Sequence, residues 1–121
     1  LMATGAVALA QGARLAWRGA GEGPFSDATA SRFAASLLRS VAHNVAAVGP
    51  SKALASPLLR GDVAAVGAHF DALRTVGAGP LALYVSAVSV VLRDLVERSV
   101  LGEEQARAVA ELLRREGPPH A

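Results

Sequence analysis

The sequence contains no cysteine, which excludes disulfide bonds, a thiolate nucleophile and a cysteine-ligated zinc site. This absence agrees with a reducing compartment and predicts a cytoplasmic protein. Aromatic residues are also scarce, at 4%, whereas apolar residues make up 52% of the 121 residues. The core must therefore consist of Ala, Val and Leu, whose small side chains let helices approach closely. Length and composition together predict one helical domain.

The charge pattern lacks a basic face. Twelve Lys and Arg residues oppose ten Asp and Glu residues, for a net charge of +2, and the basic residues are scattered along the chain. Nucleic-acid binding requires clustered basic residues, so no nucleic-acid partner is predicted. The apolar run 81–92 is shorter than the roughly 20 residues of a membrane-spanning helix. We therefore expect no membrane segment, and the start of the chain has no basic region typical of a signal peptide.

Apolar residues recur at helical spacing in five segments, and no segment shows the alternation of a strand. The predicted helices cover 1–18, 28–48, the stretch between Asp62 and Gly77, 81–100 and 103–115. Breakers rich in Gly and Pro separate them at 19–24, 49–50 and 77–80, and a tail follows at 117–121. The sequence thus predicts an all-α fold of about five helices in a compact bundle, with 1–121 as a single domain. Because the chain begins with Leu1, we expect it to be a C-terminal fragment of a longer chain.

The second predicted helix has the clearest apolar stripe. Its members, at spacings of four, four, four and three residues, are Phe33, Leu37, Val41, Val45 and Val48. The helix at 81–100 is apolar nearly all round, which indicates a central position or an oligomer interface. In the first helix two glycines, Gly5 and Gly12, lie seven residues apart, and we expect them to permit close helix contact.

Few residues could hold a metal or act as a nucleophile. The three histidines, His43, His69 and His120, have no partner at a metal-ligand spacing, so no metal site is predicted. No serine lies in a Gly-x-Ser-x-Gly motif. The glycines of 19–23 follow no strand, which excludes a dinucleotide fingerprint there. We therefore expect no cofactor bound by this chain alone and no independent enzyme.

One polar segment interrupts the apolar pattern between the second and third helices. It carries Ser56, Arg60 and Asp62, of which Asp62 is placed to cap the third helix. The N–H groups of that helix N-terminus could accept an anion, and Arg60 could hold a carboxylate or a phosphate. Alternatively, the segment is a connecting loop whose polar groups satisfy the helix ends. Both interpretations remain open from the residues alone.

The same region carries a resemblance to a known family. Residues 49–73 read GPSKALASPLLRGDVAAVGAHFDAL: a Gly-Pro, then Ala-Leu, a small residue and Pro, then Arg-Gly-Asp before a helix with His and Leu. In these features the chain resembles an uncharacterised helical C-terminal domain of Rossmann-type NADP-dependent oxidoreductases. Those enzymes are distant relatives of pyrroline-5-carboxylate reductase, ketopantoate reductase and 6-phosphogluconate dehydrogenase. The resemblance is densest over 44–73 and extends weakly across nearly the whole chain.

The resemblance implies a bundle like the 6-phosphogluconate dehydrogenase C-terminal domain, which forms a homodimer and closes over the nicotinamide cleft of a Rossmann domain. That Rossmann domain of the same parent chain is then a partner, and NADP is the cofactor of the parent protein. Carried over residue by residue, the implied substrate-binding residues are Arg60, Ser56, His69 and, more weakly, Asn44. The implied architectural residues are Pro57, Gly61 and Asp62. The predicted function is thus the substrate-side and dimerisation domain of an NAD(P)-dependent oxidoreductase, inactive alone; the alternative is a free-standing helical interaction or oligomerisation module without catalysis.

Overall fold

The computed structural model describes residues 1–19 and 26–116. Its helices are α1 (Met2–Gly19), α2 (Asp27–Val48), a short 3-10 helix (Pro57–Arg60), α3 (Val63–Val76), α4 (Ala78–Glu97) and α5 (Glu103–Glu116). No strand occurs in these two ranges, which confirms the predicted all-α fold with five α-helices. Except for Gly19, which ends α1, the predicted breaker at 19–24 lies outside the described residues. The predicted tail at 117–121 lies outside them as well.

The hydrophobic core forms around α4, which packs against α1, α3, α5 and the 3-10 helix. Its buried members are Leu58, Val66, Phe70, Val88, Leu92, Leu95 and Val109. Aliphatic side chains dominate this cluster, as the scarcity of aromatics predicted, and Phe70 is the one aromatic ring among its buried members. The central position predicted for the fourth helix is confirmed.

Small residues set the close contacts of α1. The α2 residues Ala30 and Ala34 are buried, and α2 packs on α1. On the other side of α1, a Cβ added at Gly12 would lie 3.2 Å from Leu83 Cδ1 of α4, so glycine allows this approach. At Gly5 an added Cβ would meet nothing within 4 Å. The predicted close-contact role is therefore confirmed for Gly12 and wrong for Gly5.

The hairpin of α1 and α2 is held together where the chain passes from one helix to the other. The rings of Trp17 and Phe33 meet edge to face with centroids 4.5 Å apart. The Asp27 carboxylate lies 3.9 Å from Arg14 Nη1 and 3.8 Å from Arg18 Nε. Because these ion pairs are exposed, they add little to the stability of the fold. The contact between Trp17 and Phe33 therefore holds the two helices together more strongly than the ion pairs do.

Helix α4 begins earlier than predicted. It starts at Ala78 rather than at residue 81, and Pro80 lies buried inside its first turn. The first four N–H groups of a helix have no partner within the helix, so proline is tolerated there. The glycine and proline cluster that we interpreted as a break therefore separates α3 from α4 at Gly77 alone.

Helix α4 also ends at Glu97, three residues before its predicted end at residue 100. Ser99 adopts the left-handed conformation with φ +56°. Its N–H donates to Val96 O at 3.0 Å, and the Val100 N–H donates to Leu95 O at 2.9 Å. This is the Schellman pattern, which stops a helix and usually uses glycine at the left-handed position.

By length and composition α4 could cross a membrane, because it has 20 residues and an 18-residue window of mean hydropathy 1.5. The prediction of no membrane segment considered only the apolar run 81–92, which is too short to span a membrane, whereas the helix extends beyond both ends of that run. One such helix is weak evidence for a span, since the core helix of a globular fold meets the same criterion. In this structure α4 packs against three other α-helices.

Candidate functional site

The polar segment between α2 and α3 forms a turn that is fixed at both ends. Ser56 begins the 3-10 helix, and its Oγ accepts a hydrogen bond from the Leu58 N–H at 3.2 Å. Leu58 is 2% exposed and belongs to the core cluster. Gly61 ends the turn with φ +65°, and its N–H donates to Leu58 O at 3.0 Å. The turn is therefore anchored to the core and closed by a residue type that suits the left-handed conformation.

Two of the polar side chains in this segment complete helix ends. The Ala65 N–H donates to Asp62 Oδ1 at 3.0 Å, so Asp62 caps α3 as predicted. The N-terminus of α3 is thus occupied by a carboxylate of the chain itself, and Ser56 is engaged in the same way at the 3-10 helix. The connecting-loop interpretation therefore accounts for Ser56 and Asp62. Arg60, at the end of the turn, is exposed.

His69 and Tyr84 join α3 to α4 beside the core. His69 is exposed, and its Nδ1 lies 2.8 Å from the Tyr84 hydroxyl oxygen. The Tyr84 ring contacts Phe70 edge to face at 5.3 Å between centroids. Burial raises the pKa of Tyr84, because the phenolate would be poorly solvated. The contact between the Tyr84 hydroxyl and His69 Nδ1 is therefore a hydrogen bond whose direction depends on the histidine tautomer.

Asn44 belongs to a third location, a groove between the C-terminal half of α2 and α4. The groove has a volume of about 680 Å³, and the linker at 50–55 contributes to its wall. Its lining residues are Leu37, Ser40, Val41, Asn44, Val45, Pro50, Ser51, Ala53, Leu54, Ala55, Val90, Val91 and Asp94. The four predicted substrate-binding residues are therefore distributed over the anchored turn, the α3–α4 contact and this groove.

A polar cluster that the sequence analysis missed closes one side of the groove. Ser51 Oγ donates to Asp94 Oδ1 at 3.1 Å, and Arg98 Nε donates to Asp94 Oδ2 at 2.9 Å. Arg98 Nη2 also donates to the Ser51 carbonyl oxygen at 2.6 Å. The cluster ties the linker to the end of α4. Its sequence signal was the acid-first i,i+4 spacing of Asp94 and Arg98, whereas nothing in the sequence pointed to Ser51.

One charged side chain away from these places, Arg74, links two helices. Arg74 of α3 donates to Glu116 at the end of α5 and, at 2.7 Å, to Asp71 Oδ1. The bond to Glu116, followed by the bond to Asp71, raises the pKa of the Arg74 guanidinium. Within 1–19 and 26–116, no group of three or more His, Asp or Glu side chains could hold a metal ion. His43 is exposed, and His120 lies outside the described residues.

These features define a class of protein: an all-α bundle with a central apolar helix and a core-anchored turn before its third α-helix. The chain belongs to the family described as Domain of unknown function (DUF2520), whose model matches residues 2–90. The match includes α1, α2, the turn and α3, and it ends within α4. The predicted relationship to an uncharacterised helical domain is confirmed at this level. No curated protein and no solved structure matches the chain.

Proposed function

We propose that this chain is the substrate-side and dimerisation domain of an NAD(P)-dependent oxidoreductase, whose Rossmann domain lies elsewhere in the parent chain. The observation that carries the proposal is Arg60, an exposed arginine on a turn anchored in the core. The turn lies in the segment 49–73 that resembles the oxidoreductase domain, and in the part of the chain that matches DUF2520.

The chemistry of Arg60 suits an anionic ligand. A guanidinium group presents parallel N–H donors that match both oxygens of a carboxylate or phosphate. Since Leu58 is buried and the turn is closed at Ser56 and Gly61, the backbone that carries Arg60 is already ordered. Binding then costs less conformational entropy than it would on a flexible loop. Arg60 is accordingly the residue that we assign to the substrate or to the facing Rossmann domain.

The other predicted residues take different roles in this proposal. Ser56 supports the turn through its hydrogen bond to Leu58, and His69 with Tyr84 forms a hydrogen-bonded pair that could exchange a proton with a bound substrate. Asn44 is in the groove, apart from the turn. NADP is the expected cofactor of the parent protein, held by the Rossmann domain, and a cytoplasmic location is expected.

Two experiments test the oxidoreductase assignment. The coding sequence upstream of Leu1 should encode a βαβ pattern that opens with Gly-x-Gly-x-x-Gly. The full-length protein should bind NADPH, and no binding at millimolar concentration would remove the assignment.

A variant pair tests the role of Arg60 in the full-length protein. Replacing Arg60→Ala should lower kcat/KM about 10- to 100-fold, the equivalent of a charged hydrogen bond of about 1.5–3 kcal/mol. Lys52→Ala serves as the control, since Lys52 is exposed and its replacement removes a charge from the neighbouring linker at 50–55. Melting temperature should change in neither variant. An unchanged kcat/KM for Arg60→Ala would show that Arg60 does not contact the substrate.

The alternative function is a free-standing helical interaction module. It is favoured by the apolar side chains that α2 exposes along its C-terminal half. A stop codon or an unrelated segment upstream of Leu1 would make this module the leading proposal.

A further inference from the structure

The start of α5 lies against the turn that carries Arg60. The contact is made by Gln105, the third residue of α5. A Cβ added at Gly61 would lie 3.0 Å from Gln105 Cγ and 3.2 Å from both Gln105 Cδ and Nε2. Gln105 is exposed as a whole residue, but this part of its side chain lies beside the Gly61 backbone. The turn is thus held by α5 on one side and by the buried Leu58 on the other.

The amide end of the Gln105 side chain is fixed by its own helix. Gln105 Oε1 accepts a hydrogen bond from the Gly102 N–H at 3.1 Å. The Gly102 carbonyl oxygen accepts from the Ala106 N–H at 3.0 Å, so Gly102 is the residue that begins α5. A glutamine that bonds back to the first N–H of its helix is one half of a capping box. Gln105 therefore cannot move away from Gly61 without giving up this bond.

Gly102 provides separate support for the placement of Gln105. A Cβ added at Gly102 would lie 2.7 Å from Gln105 Oε1, which is too close for a real contact. Gly102 does not have a positive φ, so its backbone conformation does not require glycine. The space taken by Gln105 does require it. Two glycines far apart in the sequence, Gly61 and Gly102, thus leave room on both sides of one glutamine side chain.

We propose that Gln105 is a positioning residue, which holds the turn in the conformation that presents Arg60 to its anionic ligand. Gln105 acts through the backbone of Gly61 and does not itself touch the ligand. Order in the turn before binding reduces the entropy that binding costs. The inference rests on the proposed function and deepens it, because it names a residue that controls Arg60. This residue lies in α5, beyond the residues 2–90 that match the family.

Two backbone hydrogen bonds report whether the turn is held. The Gly61 N–H donates to Leu58 O and the Asp62 N–H donates to Pro57 O, each at 3.0 Å. Both bonds must break when the turn opens, and amide hydrogen exchange measures the free energy of such local opening. The Gly61 and Asp62 amides are therefore direct probes of the contact with Gln105.

Amide exchange measured by NMR, in the chain without substrate or nucleotide, tests the proposal. Gln105→Ala should speed exchange at Gly61 and Asp62 about fivefold, the equivalent of losing one ordinary hydrogen bond. Gln105→Glu keeps the stem of the side chain and an acceptor for the Gly102 N–H, so it should restore the wild-type rates. Glu104→Ala changes an exposed neighbour in the same turn of α5 and should leave the rates unchanged.

The order of the Arg60 backbone gives a spectroscopic signature of positioning. In the wild-type chain the NMR order parameter of the Arg60 amide should be about 0.85, the value of a rigid backbone, and Gln105→Ala should lower it. Faster exchange in α5 alone would show that Gln105 only caps its own helix. Equal acceleration in every helix would show a general loss of stability. Either result would overturn the proposal.

A second set of variants tests the contact between Gln105 and Gly61. Asparagine tolerates the left-handed conformation, so the main effect of Gly61→Asn is to add a Cβ against Gln105. Gly61→Asn should lower the urea midpoint of the wild-type chain, and it should lower that of Gln105→Ala by less. Equal losses in the two backgrounds would overturn the proposal. These measurements use no nucleotide, so they can succeed when the full-length protein fails to bind NADPH, and the reverse result is equally distinguishable.

Discussion

The orientation of α4 can be tested by placing a carboxylate on its buried side. Leu92 is 8% exposed and belongs to the core cluster. Loss of a buried leucine side chain costs about 2–5 kcal/mol, judged by Leu→Ala replacements. An unpaired carboxylate in an apolar site adds several kcal/mol of lost hydration. The sum is comparable to the roughly 5–15 kcal/mol that stabilises a whole domain, so Leu92→Asp should unfold the chain or leave it without cooperative melting.

The neighbouring exposed residue provides the control. Arg93→Asp also introduces a carboxylate on α4, but in contact with water, and should change the free energy of unfolding by less than about 0.5 kcal/mol. Thermal and urea melts followed by far-UV circular dichroism compare the two variants with the wild type. Lowering the pH should reduce the loss of stability caused by Leu92→Asp, because burying a protonated carboxyl group costs less free energy than burying a carboxylate. A cooperative Leu92→Asp melt within a few degrees of wild type would refute the placement of α4.

Three further predictions concern local features. Ser99→Gly should stabilise the chain by about 0.5–1 kcal/mol, because Ser99 has φ +56° and glycine adopts this conformation without steric cost. Urea melts measure the gain, with Ser99→Ala as the control. Equal unfolding midpoints for the wild type and Ser99→Gly would contradict the prediction. Asp62→Ala should cost about 1 kcal/mol through loss of the bond from the Ala65 N–H, whereas Asp62→Asn should retain most of the stability, again by urea melts. Because burial raises the pKa of Tyr84, the unfolded chain loses the phenol proton first, so stability should fall as the pH rises above about 10 and through the higher folded-state pKa. Tyr84→Phe should abolish this fall, and the absorbance of tyrosinate reports the titration directly, since the chain has a single tyrosine.

Features set by neighbouring residues could be predicted from the sequence. Asp62 caps α3 because its carboxylate needs only the N–H three residues later. The predicted end of α2 at residue 48 was correct because Gly49 and Pro50 follow it, and its predicted start at residue 28 was one residue late. The limits of α4 were less accurate, because Pro80 is compatible with a first helical turn and Ser99 occupies a position that usually belongs to glycine.

Features that join distant parts of the chain could not be predicted. Ser51 and Asp94 are 43 residues apart, and His69 and Tyr84 are 15 apart, so no local pattern links either pair. The apolar stripe of α2 illustrates a further limit. Periodicity shows that Val41 lies on an apolar face, but it does not show whether that face meets the same chain or another one.

The attachment of α2 to a single described neighbour also determines how the bundle opens. Release of α2 breaks its packing on α1 and leaves the contacts among α3, α4 and α5 in place. Local opening of this kind requires less free energy than global unfolding, so the backbone amides of α2 should exchange with solvent deuterium sooner than those of α4. Deuterium uptake along α2 therefore reports how firmly α1 holds this helix, and it needs neither a label nor a substitution.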